Sequence, residues 1–166
     1  MLIVVTADQD IRNWTQDPQS NSGAWGTVWG IPRSLAQQDA STALRNQING
    51  LPPAEPICLS GHGNDKEIGD EVGGWTWTVA DLARILANVQ PRSGPLFIRA
   101  CAKSVVNYSA RLAYELEKNQ AQPGLWCYGY RIAIDIRAHY PRPQNLDKDV
   151  DLQGTQVSRR LAPVLR

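Results

Sequence analysis

Four short apolar runs constrain the fold of this chain more than any other feature. They are "LIVVTA" (2–7), "PICLS" (56–60), "PLFIRA" (95–100) and "LWCYGY" (125–130). None shows the apolar–polar alternation of a half-wet strand, so each reads as a strand buried on both faces. Helical spacing fills the intervals. Leu35, Leu44 and Ile48 share one face of a helix over 34–48. Val79, Leu82, Leu86 and Val89 form a stripe after Thr78, which with Asp81 fits a capping box. Val105, Leu112, Ala113 and Leu116 mark another helix, capped by Ser104 and running to about Asn119. Strands alternating with helices predict an α/β protein. The expected form is one domain over 1–166, a three-layer sandwich around a mostly parallel central sheet.

The remaining segments carry weaker expectations. Residues 8–33 are polar and rich in Gly and Pro, and read as a long irregular connection with a short hairpin around "AWGTVWG". "EIGDEVGGWTWT" predicts a hairpin turning at Gly73-Gly74, with Trp75 and Trp77 on one face. "RIAIDIRAHY" alternates Ile132, Ile134 and Ile136 with Ala133, Asp135 and Arg137, so it predicts a strand with one wet face. The last part, with Pro141, Pro143 and many charges, ends in an amphipathic piece, "VSRRLAPVL".

Composition narrows the class of function. A chain of 166 residues with 42% apolar and 20% charged residues has the makeup of a globular domain. Its net charge of +1 gives no general reason to expect a nucleic-acid or membrane partner. Residues 131–166 hold seven Lys/Arg against four Asp, which reads as solvated surface, with a regulatory protein or an anionic ligand as the alternative. No apolar run nears the ~18 residues of a membrane helix. The N-terminal run lacks the basic region of a secretory signal, so a cytoplasmic location is expected, or export as an effector by another route. Three cysteines, at 58, 101 and 127, suit neither a disulfide framework nor a zinc site, and no cofactor is expected.

The chemistry gathers at two strand ends. His62, held between Gly61 and Gly63, follows "PICLS"; Cys101 follows "PLFIRA". In α/β sheets functional groups collect at the carboxyl ends of strands. If these two strands are parallel neighbours, ~4.8 Å apart, a thiol and an imidazole emerge at one edge. A free thiol is mostly protonated at neutral pH, and a nearby imidazole can take its proton. A helix starting just after Cys101 would add a positive dipole end. The N–H groups of Gly63 and Cys101 could bind a developing oxyanion. Either residue alone reads as structural; it is the pairing that points to catalysis. Cys58 and Cys127, inside apolar runs, read as packing residues.

"ICLSGHG" followed by "LFIRAC" resembles the paired motifs of the caspase-like cysteine peptidases, in the same His-then-Cys order. The resemblance covers Pro56 to about Leu116. It implies a caspase-like fold and thiol-dependent hydrolysis of a protein or peptide substrate, without metal. Cys101 would then be the nucleophile, His62 the proton-transfer residue and Gly63 an oxyanion donor. The sequence departs from caspases proper at "CAKS", where they have Arg-Gly after the cysteine, so Asp specificity does not carry over. Asp65, Trp75, Trp77 and Asp135 are candidate substrate contacts, read alternatively as turn, packing and surface residues. Two other functions use the same sequence features: a catalytically silent interaction domain, and a thiol-dependent deamidase.

Overall fold

The computed structural model describes residues 1–21, 23–102 and 106–159. Its main sheet has six strands: β1 (Leu2–Val4), β2 (Val28–Gly30), β3 (Ile57–Ser60), β7 (Leu96–Arg99), β8 (Trp126–Tyr130) and β9 (Leu152–Gln156). Their spatial order is β2-β1-β3-β7-β8-β9. The first five run parallel and β9 closes the far edge antiparallel to β8. The mostly parallel α/β sheet expected from the apolar runs is therefore present.

The runs lack alternation because both faces of the sheet are covered. Ile3, Leu59, Leu96 and Ile98 point to one side, into a core shared with α3 (Gln37–Asn49), α4 (Val79–Ala87) and α5 (Tyr108–Lys118). Leu2, Val4, Cys58 and Phe97 point to the other side, against α1 (Gln9–Gln16), Trp25, Tyr140 and Leu146. Successive residues of a strand face opposite ways, so a strand with two covered faces must be apolar throughout. The result is a three-layer α/β arrangement.

Three expectations are corrected. Residues 8–33 are not an irregular connection with a hairpin. They hold α1, a short helix α2 (Pro18–Asn21), and β2 parallel to β1. Asp8 starts α1 by accepting the Ile11 N–H (2.9 Å), and Ile11 and Thr15, one turn apart, are its buried face. "RIAIDIRAHY" is not a strand. Its chain leaves β8 after Tyr130 and crosses the carboxyl edge without regular structure. Both lateral positions beside β8 are already taken, by β7 and β9, so alternation there finds no ladder to join. In the C-terminal part, polar "LQGTQ" forms β9, which the sequence did not announce. Ser104 and Val105, and the end of the amphipathic tail piece from 160 on, lie outside the described residues; α5 is capped by Asn107, whose Oδ1 accepts the Ala110 N–H (3.0 Å).

Beyond the carboxyl edge stands a second, antiparallel sheet of β4 (His62–Gly63), β5 (Glu67–Gly69) and β6 (Thr76–Thr78). Trp75 and Trp77, 3% and 1% exposed, anchor it in the core. Their indole N–H groups donate to Leu35 O (2.9 Å) and Ser41 Oγ (2.8 Å). Gly69 has φ +150, and a Cβ there would lie 2.2 Å from Trp75 O, so only glycine fits this crossing. Thr78 and Asp81 form the reciprocal capping box that starts α4.

Candidate active site

β3 and β7 are adjacent and parallel, with Ser60 opposite Arg99. His62 lies two residues past Ser60, and Cys101 two past Arg99, so the two stand level at one edge of the sheet. The bridge between them is direct. A Cβ built on Gly63 would sit 2.8 Å from Ala100 Cβ and 2.7 Å from Glu67 O, so the hairpin backbone rests on the residue preceding the cysteine. Any larger residue at 63 would push the histidine strand away from Cys101.

The ladder leaves the Gly63 amide unspent. Asn64 N–H donates to Glu67 O (3.0 Å), which makes Asn64–Glu67 a hydrogen-bonded pair. Gly63–Ile68 is the next pair and, by antiparallel alternation, the non-bonded one. The Gly63 N–H therefore points away from β5. The Cys101 N–H likewise makes no backbone hydrogen bond among the described residues.

Asp8 is the functional candidate that sequence reasoning missed. Its Oδ2 lies 3.2 Å from His62 Nε2, an ion-pair approach whose alignment falls short of a hydrogen bond. The Ile11 N–H, with help from His62, holds the Asp8 carboxyl below its ordinary range against the opposing effect of burial. Asp8 follows the carboxyl end of β1, the neighbour of β3, and so obeys the rule that singled out His62 and Cys101. Asp70 fixes the approach of these elements. Its Oδ1 accepts from Thr6 Oγ1 (2.7 Å) and Ala7 N (2.6 Å), and its Oδ2 from Trp75 N (2.8 Å).

The half-buried Cys101 thiol donates to Ile134 O (3.3 Å) on the segment after β8, and Ala102 N–H donates to Ile132 O (3.3 Å). No hydrogen bond joins the thiol to the imidazole. Arg99, 1% exposed, fastens the same segment through Nη2, which donates to Ile136 O (2.8 Å) and Ala138 O (2.7 Å). Its guanidinium lies 4.1 Å from the centre of the Tyr140 ring. Beneath Cys101 the first turn of α5 packs closely: Asn107, Tyr108 and Ser109 share with it a void of only about 10 Å³. The positive end of α5 thus lies against Cys101, although the helix begins later than expected.

The other candidates divide. Trp75 and Trp77 are core residues, as their packing reading had it. Asp135 is exposed and accepts the Arg137 N–H (2.7 Å), closing a turn in the crossing segment. Asp65 is half-buried at the end of the histidine stretch. Burial raises the thiol pKa of Cys58, and that of Cys127 to about 12, leaving Cys101 as the thiol outside the core. No cluster of metal-ligating side chains occurs among the described residues, and no described helix is long and apolar enough to cross a membrane. Comparison with known family models and with characterised proteins finds no match for this chain.

Proposed function

We propose that the protein is a caspase-like cysteine endopeptidase acting through Cys101 and His62, with Asp8 orienting the imidazole. The observation that carries this reading is the level placement of His62 and Cys101 on adjacent parallel strand ends, locked by Gly63 against Ala100. With Nε2 turned toward Asp8, Nδ1 is the nitrogen left for the thiol. The Cys101 proton passes to His62 as the sulfur forms a bond to the peptide carbonyl carbon. The oxygen becomes an anion facing the N–H groups of Gly63 and Cys101. His62 then gives its proton to the leaving amine as the C–N bond breaks. Water, deprotonated by His62, attacks the thioester, and the thiol is restored. Deamidation of a glutamine side chain would follow the same steps with ammonia as the leaving group.

The thiol's hydrogen bond to Ile134 O favours a second reading, a silent binding domain. Alkylation of the folded protein with a peptide-like electrophile separates the two. The peptidase reading expects labelling at Cys101, slowed by about 10²-fold or more in His62→Ala. Equal, slow labelling of all three cysteines would sink it. A peptide library, scored for cleavage and for released ammonia, then distinguishes peptidase from deamidase.

A further inference from the structure

One cavity of the described structure is separate from the Cys101 void. It is an open groove of about 630 Å³ between the start of α4 and the first half of α5. That volume falls within the ~300–1,000 Å³ of ligand pockets. Its walls are mainly apolar: Val79 and Ala80 on one side, Val106, Ala110 and Tyr114 on the other. Tyr114 is 70% exposed and Val106 54%, an unusual outlay of apolar surface along one wall.

Charge decides what the groove would take. Lys66, Arg111 and Glu115 line it, and neither of the two cations forms an ion pair among the described residues. Arg111 is held in place by its Nε–H donating to Val106 O (3.0 Å). Lys66 sits in the β4–β5 turn, and its carbonyl accepts the Val79 N–H (3.2 Å), which ties that turn to α4. The nearby acids are already engaged. Glu115 pairs with Lys118 (3.3 Å), and Asp81 is held by Thr78 and by Arg84 (3.4 Å). The groove therefore presents apolar walls, two cations without an ion pair among the described residues and one carboxylate already paired.

We propose that this groove docks a polypeptide segment in which apolar side chains alternate with carboxylates. The apolar side chains would bury Val79, Val106 and Tyr114, and the carboxylates would meet Lys66 and Arg111. This docking is independent of whether Cys101 cuts peptides, and its test reads binding alone.

The experiment is fluorescence anisotropy on full-length Cys101→Ala protein, which prevents any turnover. The probe is a short fluorescein-labelled peptide of leucine, phenylalanine and aspartate. A second peptide replaces aspartate by lysine, and a third replaces the apolar residues by serine. The expected result is saturable binding of the first peptide only. Lys66→Glu and Arg111→Glu should each weaken it about tenfold, and added salt should weaken it too. Tyr114→Ser should also reduce it. All three positions are exposed, and circular dichroism checks that each variant remains folded. Equal affinity for the lysine peptide, or indifference to both charge reversals, overturns the proposal. So does binding of dodecanoate with none of the peptide, which would assign the groove to a small amphiphile.

Discussion

Two segments cross the carboxyl edge of the sheet, and they are held by different means. The histidine hairpin is fastened by backbone ladders, two buried tryptophans and a glycine seated on Ala100. The segment after β8 has no ladder. Beside the backbone bond from Ala102 to Ile132, it is fastened chiefly by side chains reaching its carbonyls: Arg99 to Ile136 and Ala138, Trp14 to Ala138, and the Cys101 thiol to Ile134. The hairpin's position is set by backbone ladders together with several buried side chains, so that no single bond carries it. The crossing segment's position depends on a few individual residues, which single substitutions can remove. A rigid wall on the histidine side faces a detachable one on the cysteine side.

The sharpest way to break this contrast is to force the rigid wall. Gly63→Val would drive side-chain atoms into Glu67 O and Ala100. Overpacking of this kind costs about 1–3 kcal/mol, read by urea unfolding. Displacing the histidine strand should also lower the proposed peptide hydrolysis by about 10²-fold. Full activity in a folded Gly63→Val protein would show that this contact does not organise the site.

The detachable wall is tested by Arg99→Met. Two charge-assisted hydrogen bonds disappear, and a loss of about 2 kcal/mol is expected. Limited proteolysis should then cut first within 131–139, while the hairpin stays protected. Cuts appearing equally in the hairpin would mean that the two segments are held together, not separately.

The smallest effect belongs to Asp8→Asn. The imidazole keeps a polar neighbour but loses a charge, so the proposed hydrolysis should fall about tenfold and stability at neutral pH should fall slightly. Because the Asp8 carboxyl is lowered in the fold, its stabilisation is present above the unfolded pKa, ~3.9, and is lost as pH falls through the lower folded value. The acid limb of a stability–pH curve should therefore be shallower in the variant. An unchanged acid limb would remove Asp8 from the account.

What could be read beforehand follows from where side chains are forced to go. Ile57, Cys58, Leu59, Leu96, Phe97 and Ile98 declare a doubly covered strand, because no other element hides every residue of so short a run. The hairpin announced itself through Gly73-Gly74 and its paired tryptophans. α1 did not, since "QDIRNWTQ" buries only Ile11 and Thr15. With α1 hidden, Asp8 stayed hidden too. The crossing segment misled because Ile132, Ile134 and Ile136 mimic a strand's period. Ile134 and Ile136 do lean on the core, but their backbone partners are Arg99 and Cys101, fixed by tertiary placement and not by any local pattern.

The Tyr140 hydroxyl has a consequence for how the molecule opens. It lies 2.8 Å from Ser60 Oγ on β3 and 3.0 Å from Thr15 Oγ1 on α1, while its ring covers Arg99. One buried phenol thus joins the helix capped by Asp8, the strand that leads to His62 and the segment that meets Cys101. Hydrogen exchange proceeds through cooperative units of packed elements, and a shared buried bond favours their opening together. Deuterium uptake in α1 and in 131–139 should therefore rise together in Tyr140→Phe, so that the two flanks of the cysteine breathe in step while the sheet beneath them stays closed.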